Sequence, residues 1–291
     1  MPMSRNPRRF RTILMSRIVL IIHRHDQLAG KYLIEDILRE MHGRGHQVRV
    51  VRGIPPSPPS ADLAILHVDA TVVPREYVDL AASYPRCINL DVTDISKRRI
   101  SGARLRPGDD WKGPVIVKSN ANYGGIPEAR LNQRALQLGE APPFPAYPLL
   151  KRYDVATVYD VFDGIGDVPE DRLNDPARIV ERFIPEPDPE GYALRFWVFF
   201  GGAERCNRFV SSHRILKSST VVRWAPVEVP VELRRLRREL GFDYGKFDFV
   251  IHDGRPVLLD ANKTLGRPLH ADKAYAEQTS RFASGLEAMI P

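Results

Sequence analysis

Residues 240–266 read LGFDYGKFDFVIHDGRPVLLDANKTLG. Two apolar runs flank Asp253-Gly254, the pattern of a β-hairpin running from Phe247 to Asn262. Odd positions carry Phe247, Phe249, Ile251, Val257, Leu259 and Ala261, while Asp248, Asp260 and Asn262 are even. Strand side chains alternate between faces, so Asp260 and Asn262 share one. Asp248 joins them only if the loop has an odd number of residues, which predicts a three-residue loop with Gly254 in the left-handed conformation. A two-residue loop would turn Asp248 among the core side chains, where an unpaired carboxylate is costly. Two carboxylates and an amide oxygen converging on one face are hard ligands suited to Mg²⁺. The competing reading is a hairpin with solvated acids at its edges.

Upstream, the apolar run Ile18 to Ile22 reads as a buried parallel strand. Leu33, Ile34, Ile37, Leu38 and Met41 follow at helical spacing, ended by Gly43 and Gly45. Val48–Val51, Leu63–Leu66 and Cys87–Leu90 read as further strands, with a helix over Pro74–Ser83. Alternation of this kind predicts an open α/β layer. No GxGxxG follows the first strand and GxxxxGK[ST] is absent, so neither a dinucleotide site nor a P-loop is supported. Beyond residue 95 the pattern changes. Val115–Lys118 is a strand that ends in a lysine and opens into a loop with Gly124 and Gly125, which can offer a cation and backbone N–H groups to phosphate. Ile179–Ile184 reads as a strand stopped by Pro185, Leu194–Phe200 as another, and Val231–Leu240 as a helix. In Arg234-Arg235-Leu236-Arg237-Arg238 the arginines lie off the leucine line and form a solvated face, without the interleaved aromatics that base stacking needs.

Taken in order, the segments Val115–Gly125, Ile179–Ile184, Arg195–Gly202 and Leu240–Gly266 resemble the ATP-grasp superfamily, of the glutathione synthetase type. The resemblance covers roughly residues 90 to 275 and implies an α/β N-terminal domain followed by a two-subdomain α+β ATP-grasp fold. The expected organisation is a basic disordered tail over 1–15 and an N-terminal α/β domain over 16–95. A small subdomain with the lysine strand and hinge follows over 96–187, and a C-terminal subdomain with the metal-binding hairpin over 188–291. Carried over by position, Lys97 and Lys118 resemble ATP-contacting lysines, and Gly124 and Gly125 belong to the phosphate loop. Glu181, Arg182, Phe183 and Ile184 resemble the adenine hinge, and Asp188 or Glu190 the ribose contact. Arg195 resembles the catalytic arginine near the γ-phosphate, and Asp248, Asp260 and Asn262 the magnesium ligands. Two departures stand out: Asp260 occupies a position where glutamate is usual, and the loop from Ser119 to Gly125 is poor in glycine.

The resemblance implies an ADP-forming ligase that uses ATP and Mg²⁺ to join a carboxylate to an amine or similar nucleophile through an acyl phosphate. A kinase on the same fold and a nucleotide-binding module without turnover are the alternatives. His23 and His25 follow the first strand, where open α/β sheets present ligands at strand C-terminal ends, and are candidates for lining the acceptor pocket. His213 and Arg214 are candidates for holding a substrate carboxylate, with Lys263 near the metal.

The bulk composition is that of an ordinary globular protein, with 43% hydrophobic and 27% charged residues, and 291 residues fit two domains or one domain with a substantial insertion. Cys87 and Cys206 form no CxxC pair, against a disulfide framework or a zinc site. The formal charge is +7, with Arg5, Arg8, Arg9, Arg11 and Arg17 near the N-terminus. Such a tail can touch nucleic acid or acidic lipid, but a solvated extension is the ordinary reading. No signal peptide and no run of about 20 apolar residues is present, so a cytoplasmic protein without membrane or nucleic-acid partners is expected, with a homodimer allowed.

Overall fold

The computed structural model describes residues 15–106, 108–146, 159–268 and 272–291. Arg5, Arg8, Arg9 and Arg11 of the expected tail lie outside the described residues. Ile18 to Ile22 are all buried, as a strand covered on both faces requires. They belong to β1 (Arg17–Ile22), an interior strand of a parallel sheet ordered β2 (Gln47–Arg52), β1, β3 (Leu63–Leu66) and β4 (Cys87–Ile88). One face is covered by α1 (Leu33–Gly43), whose Leu33, Ile34, Ile37, Leu38 and Met41 are buried, and by α7 (Lys273–Glu287), which brings Phe282 and Leu286. On the other face α2 (Arg75–Ala82) inserts Tyr77 and Leu80. The expected strand Cys87–Leu90 stops at Ile88, because Asn89 takes a left-handed conformation and turns to the hairpin: its Oδ1 accepts from Asp243 N (2.9 Å) and Tyr244 N (3.0 Å).

The chain then crosses, through α3 (Lys97–Ile100), into an antiparallel sheet ordered β6 (Asp160–Phe162), β5 (Val115–Ser119) and β7 (Arg178–Arg182). Tyr123, Gly124 and Gly125 all have positive φ, and they lead into α4 (Ile126–Gln137), a helix that the sequence reading did not expect. A short α5 (Glu170–Leu173) precedes β7. The third sheet is ordered β11 (Val221–Pro226), β10 (Ala203–Ser211), β9 (Gly191–Phe200), β12 (Tyr244–His252) and β13 (Arg255–Asn262), with β8 (Glu186–Asp188) paired to β9. Trp197, Phe199, Phe247 and Phe249 pack on one face of it under Leu233 of α6 (Val231–Glu239). The arginines of α6 are not simply a solvated face: Arg237 lies 4.0 Å over the Phe199 ring, and Arg234 pairs with Glu204 at 2.6 Å. On the opposite face Val198, Phe200 and Tyr244 merge into the core beneath α1 and α7, so one core runs across residue 95.

The hairpin corrects the loop expectation. His252 pairs with Arg255, which leaves a two-residue turn of Asp253 (φ 49°) and Gly254 (φ 73°). Positive φ at both positions is the type I′ turn, whose twist matches that of the strands. The odd residue sits inside β13 instead. Phe249 pairs with Leu258 and Asp248 with Asp260, leaving Leu259 as the extra residue of a bulge. Asp248 and Asp260 are therefore directly opposite on one face, as expected, through a different device. Among the described residues no helix is long and apolar enough to cross a membrane, and both cysteines are free.

Candidate active site

Even-numbered residues of β9 and β12 face the β6–β5–β7 sheet across a cavity of about 210 Å³. Its walls include Ile116 of β5, Ile184 after β7, Leu194 and Phe196 of β9, Val250 of β12, and Leu259 at the bulge. Lys97, Lys118, Asp248 and Asp260 line the same cavity. A contiguous recess of about 200 Å³ adds Asn122, Tyr123, Lys246 and Asn262.

Each of the three lysines here faces an acid. Lys118 Nζ lies 2.6 Å from Glu181 Oε2 and 5.9 Å from the Tyr159 ring centroid. Burial alone would lower the Lys118 ammonium, but Glu181, Tyr159 and Asp260 outweigh it and hold it above its ordinary value. Lys97, only 4% exposed, donates to Ala121 O (3.2 Å) and reaches Asp260 Oδ1 (3.4 Å). Lys246 escaped the sequence reading, although the alternation that found Asp248 places it on the same face. Its Nζ lies 3.0 Å from Asp248 Oδ1 and 4.5 Å over the Phe196 ring. Burial pushes the Asp248 carboxyl up, Lys246 draws it down, and Asp260 opposite adds to the rise.

These residues fit a divalent cation. Asp248 Oδ1 is buried and accepts no hydrogen bond, although the Lys246 ammonium is close by. Two facing carboxylates are hard donors of the kind magnesium takes. Asn262 is less ready: its Oδ1 accepts from Thr264 N at 2.8 Å, with Thr264 Oγ1 3.3 Å away.

The hinge is partly engaged. Arg182 N donates to Ala103 O and Phe183 N to Pro114 O, so among the described residues Ile184 N–H is the unpartnered donor of the stretch. The Arg182 side chain turns away to Gly102 O and the Trp111 ring. Glu181 is fully buried beneath Lys118. Gly124 and Gly125 shape the turn into α4, while their neighbours Asn122 and Tyr123 line the recess. His213 and Arg214 are exposed on the cavity rim, with Arg214 on the Tyr192 ring.

Five of the named residues lie elsewhere. Arg195 is not brought to the cavity: Leu194 and Phe196 on either side of it point in, so it points to the opposite face, where it pairs with Glu186 and covers Phe249. Asp188, read as a ribose contact, is held by Arg208 (2.7 Å) and Arg223 (2.9 Å). His23 is packed among Tyr77, Phe144 and His25, and burial keeps it neutral, down to about 4. Lys263 is 1% exposed, its Nζ has no partner, and burial lowers it to about 8 against the pull of Asp69, Glu128 and Asp94. His25 lines a separate cavity at the end of β1.

No protein-family model and no curated protein matches the chain. Solved structures do. The ATP-grasp ligase PsnB, complexed with minimal precursor, Mg and ADP, aligns with a TM-score of 0.51 at 11% identity, covering 94% of this chain and 97% of that one. A RimK domain ATP-grasp protein from Sphaerobacter thermophilus aligns at 0.49 and 14%, over 94% and 99% of the two chains. D-alanine–D-alanine ligase from Bacillus anthracis, complexed with ATP, aligns at 0.48 and 12%, over 94% and 98%. The likeness to PsnB shows the fold: this chain has the ATP-grasp fold. The lysine strand, the stretch after β7 and the acid hairpin, in that chain order, each contribute side chains to the cavity wall.

Proposed function

We propose that the chain binds ATP with magnesium in this cavity and joins a carboxylate to an amine, releasing ADP and phosphate. The observation that carries the reading is convergence. Lys97, Lys118, Asp248 and Asp260 come from separate parts of the chain and meet beside an apolar slot. The slot between Ile116, Ile184 and Leu259 suits a flat base, with the Ile184 N–H at its edge. Lys97 and Lys118 would contact phosphate oxygens, as charged donors to an anion. Asp248 and Asp260 would hold magnesium, joined by Asn262 if Thr264 releases its oxygen. Magnesium bound there supplies neutralisation of charge on the phosphates.

No protein nucleophile is needed. The substrate carboxylate attacks the γ-phosphorus, ADP leaves, and the amine then attacks the acyl phosphate as phosphate leaves. The protein contributes positioning and preorganised charge. PsnB, whose fold is shared, is a ligase described with Mg and ADP.

The test is ADP release screened against pooled carboxylic acids and amines, with product masses recorded. A ligase releases ADP only when both are present; release with a hydroxyl compound alone indicates a kinase. Asp260→Asn should lower turnover by about tenfold or more and raise the magnesium requirement, because one charge at the ion is lost. Asp253→Asn in the exposed turn should change neither, since asparagine also suits a type I′ turn. Equal magnesium dependence in folded Asp260→Asn and wild type would contradict the site.

A further inference from the structure

A second cavity, of about 190 Å³, lies at the C-terminal ends of β1 and β3 under α4. Its volume suits a small molecule. Its floor is acidic and nearly closed to solvent: Asp26 is 3% exposed and Asp69 8%. The Tyr32 hydroxyl sits between them, 3.2 Å from Asp26 Oδ2 and 2.8 Å from Asp69 Oδ2. A hydroxyl carries one proton, so it can donate to only one of the two carboxylates. His25, 5% exposed, also lines the cavity, and its Nδ1 has no partner.

The rim has the opposite sign. Arg130 and Arg134 stand one turn apart on the cavity face of α4. Neither makes an ion pair among the described residues; Arg134 reaches neutral amide oxygens, Gln137 Oε1 at 3.2 Å among them. Lys31 also lines the cavity and reaches Asp26 Oδ1 at 3.9 Å, which leaves Asp69 as the floor acid without an ion pair among the described residues. This floor and the arginines of the rim match a ligand with a cation at one end and an anion at the other.

The order of the charges carries further information. Asp69 Oδ1 accepts from Thr264 Oγ1 at 2.6 Å, and Thr264 N donates to Asn262 Oδ1 at 2.8 Å. The acidic floor is therefore the end tied to the hairpin of Asp248 and Asp260. An ammonium on that floor would sit at the end of the cavity joined to the hairpin through Thr264, with the ligand's carboxylate directed to the rim. An amine acceptor needs that orientation; an acyl donor needs the reverse.

We infer that this cavity is the acceptor subsite and that it takes a zwitterion, a free amino acid, with its ammonium on Asp26 and Asp69 and its carboxylate on Arg130 and Arg134. The inference rests on the ligase reading above for the role of the ligand, but its binding can be measured alone. The full-length protein is screened by ligand-observed saturation-transfer NMR against pooled free L- and D-amino acids. Matched pools of amines lacking the carboxylate and of acids lacking the amine are run beside them. Titration of a non-hydrolysable ATP analogue with magnesium is a separate arm. Amino acids should bind, and the truncated pools should bind about tenfold more weakly or worse. Arg134→Gln, half-exposed and harmless to the core, should weaken amino-acid binding by about tenfold, and Asp69→Asn by as much if it folds. Nucleotide binding with no amino-acid binding, or amines bound as tightly as amino acids, overturns the subsite and leaves the nucleotide reading standing. Amino-acid binding without nucleotide binding supports the cavity and overturns the ATP reading.

Discussion

His67 follows β3 with both ring nitrogens buried and without partners, its ring set edge-on to Tyr32 at 4.9 Å. Burial holds it neutral, at about 4 against a usual 6.5; Asp26 opposes this and Lys263 adds to it. The folded value is depressed for a base, so between pH 6.5 and 4 the unfolded chain takes up a proton that the folded chain does not. Stability is then lost as pH falls through that window, and no further loss from this group occurs below it. His67→Leu removes the proton sink and breaks no hydrogen bond. Its melting temperature, followed by circular dichroism, should fall less steeply than wild type between pH 6.5 and 4 and run parallel above pH 7. Parallel curves throughout would mean that His67 takes up its proton in the folded protein as readily as in the unfolded chain. Single residues were the hardest to read in the sequence. Arg195 resembled a catalytic arginine, yet strand alternation alone puts it on the face away from Leu194 and Phe196. The same rule, applied to Lys246, would have found it.

At the scale of elements, alternation and turn chemistry were legible and their combination was not. Asp253-Gly254 is a strong type I′ signal, and even positions for Asp248 and Asp260 are a strong functional one. The two conflict unless one residue is lost from the ladder, and a bulge is silent in composition. The bulge at Leu259 resolves the conflict and adds an apolar wall to the cavity. Deleting Leu259 should give an uninterrupted hairpin with Asp260 still opposite Asp248. Magnesium dependence should survive, while affinity for ATP falls by about tenfold with the loss of a leucine-sized contact. Loss of magnesium dependence in a folded deletion variant would show that the bulge itself orients the acids. The unread helix α4 has a physical excuse. Its buried line is thin, with Leu131 and Ala135 among polar residues, and Pro127 looks like a breaker although it sits in the first turn, where proline is tolerated. Likewise β10 places Arg205, Asn207 and Arg208 in an interior strand, where Arg208 is paired with Glu186 and Asp188.

Over the whole molecule, strand–helix alternation followed by lysine strand, hinge and acid hairpin was enough to expect the ATP-grasp fold before any coordinates. What could not be read was how tightly the parts are joined. Asn89 ties the first sheet to β12, α7 returns to cover α1, and Thr264 joins Asp69 of the acidic floor to Asn262 of the hairpin. The central claim is that magnesium and ATP occupy the cavity between the β6–β5–β7 sheet and the sheet of β9, β12 and β13. The measurement that tests it most directly is a crystal structure with magnesium and a non-hydrolysable ATP analogue. The base should lie between Ile116, Ile184 and Leu259, the phosphates on Lys97 and Lys118, and magnesium on Asp248 and Asp260. An analogue bound elsewhere, for example in the open cleft lined by Arg86, Arg234 and Arg238, with Asp248 and Asp260 still paired to their lysines, would contradict it.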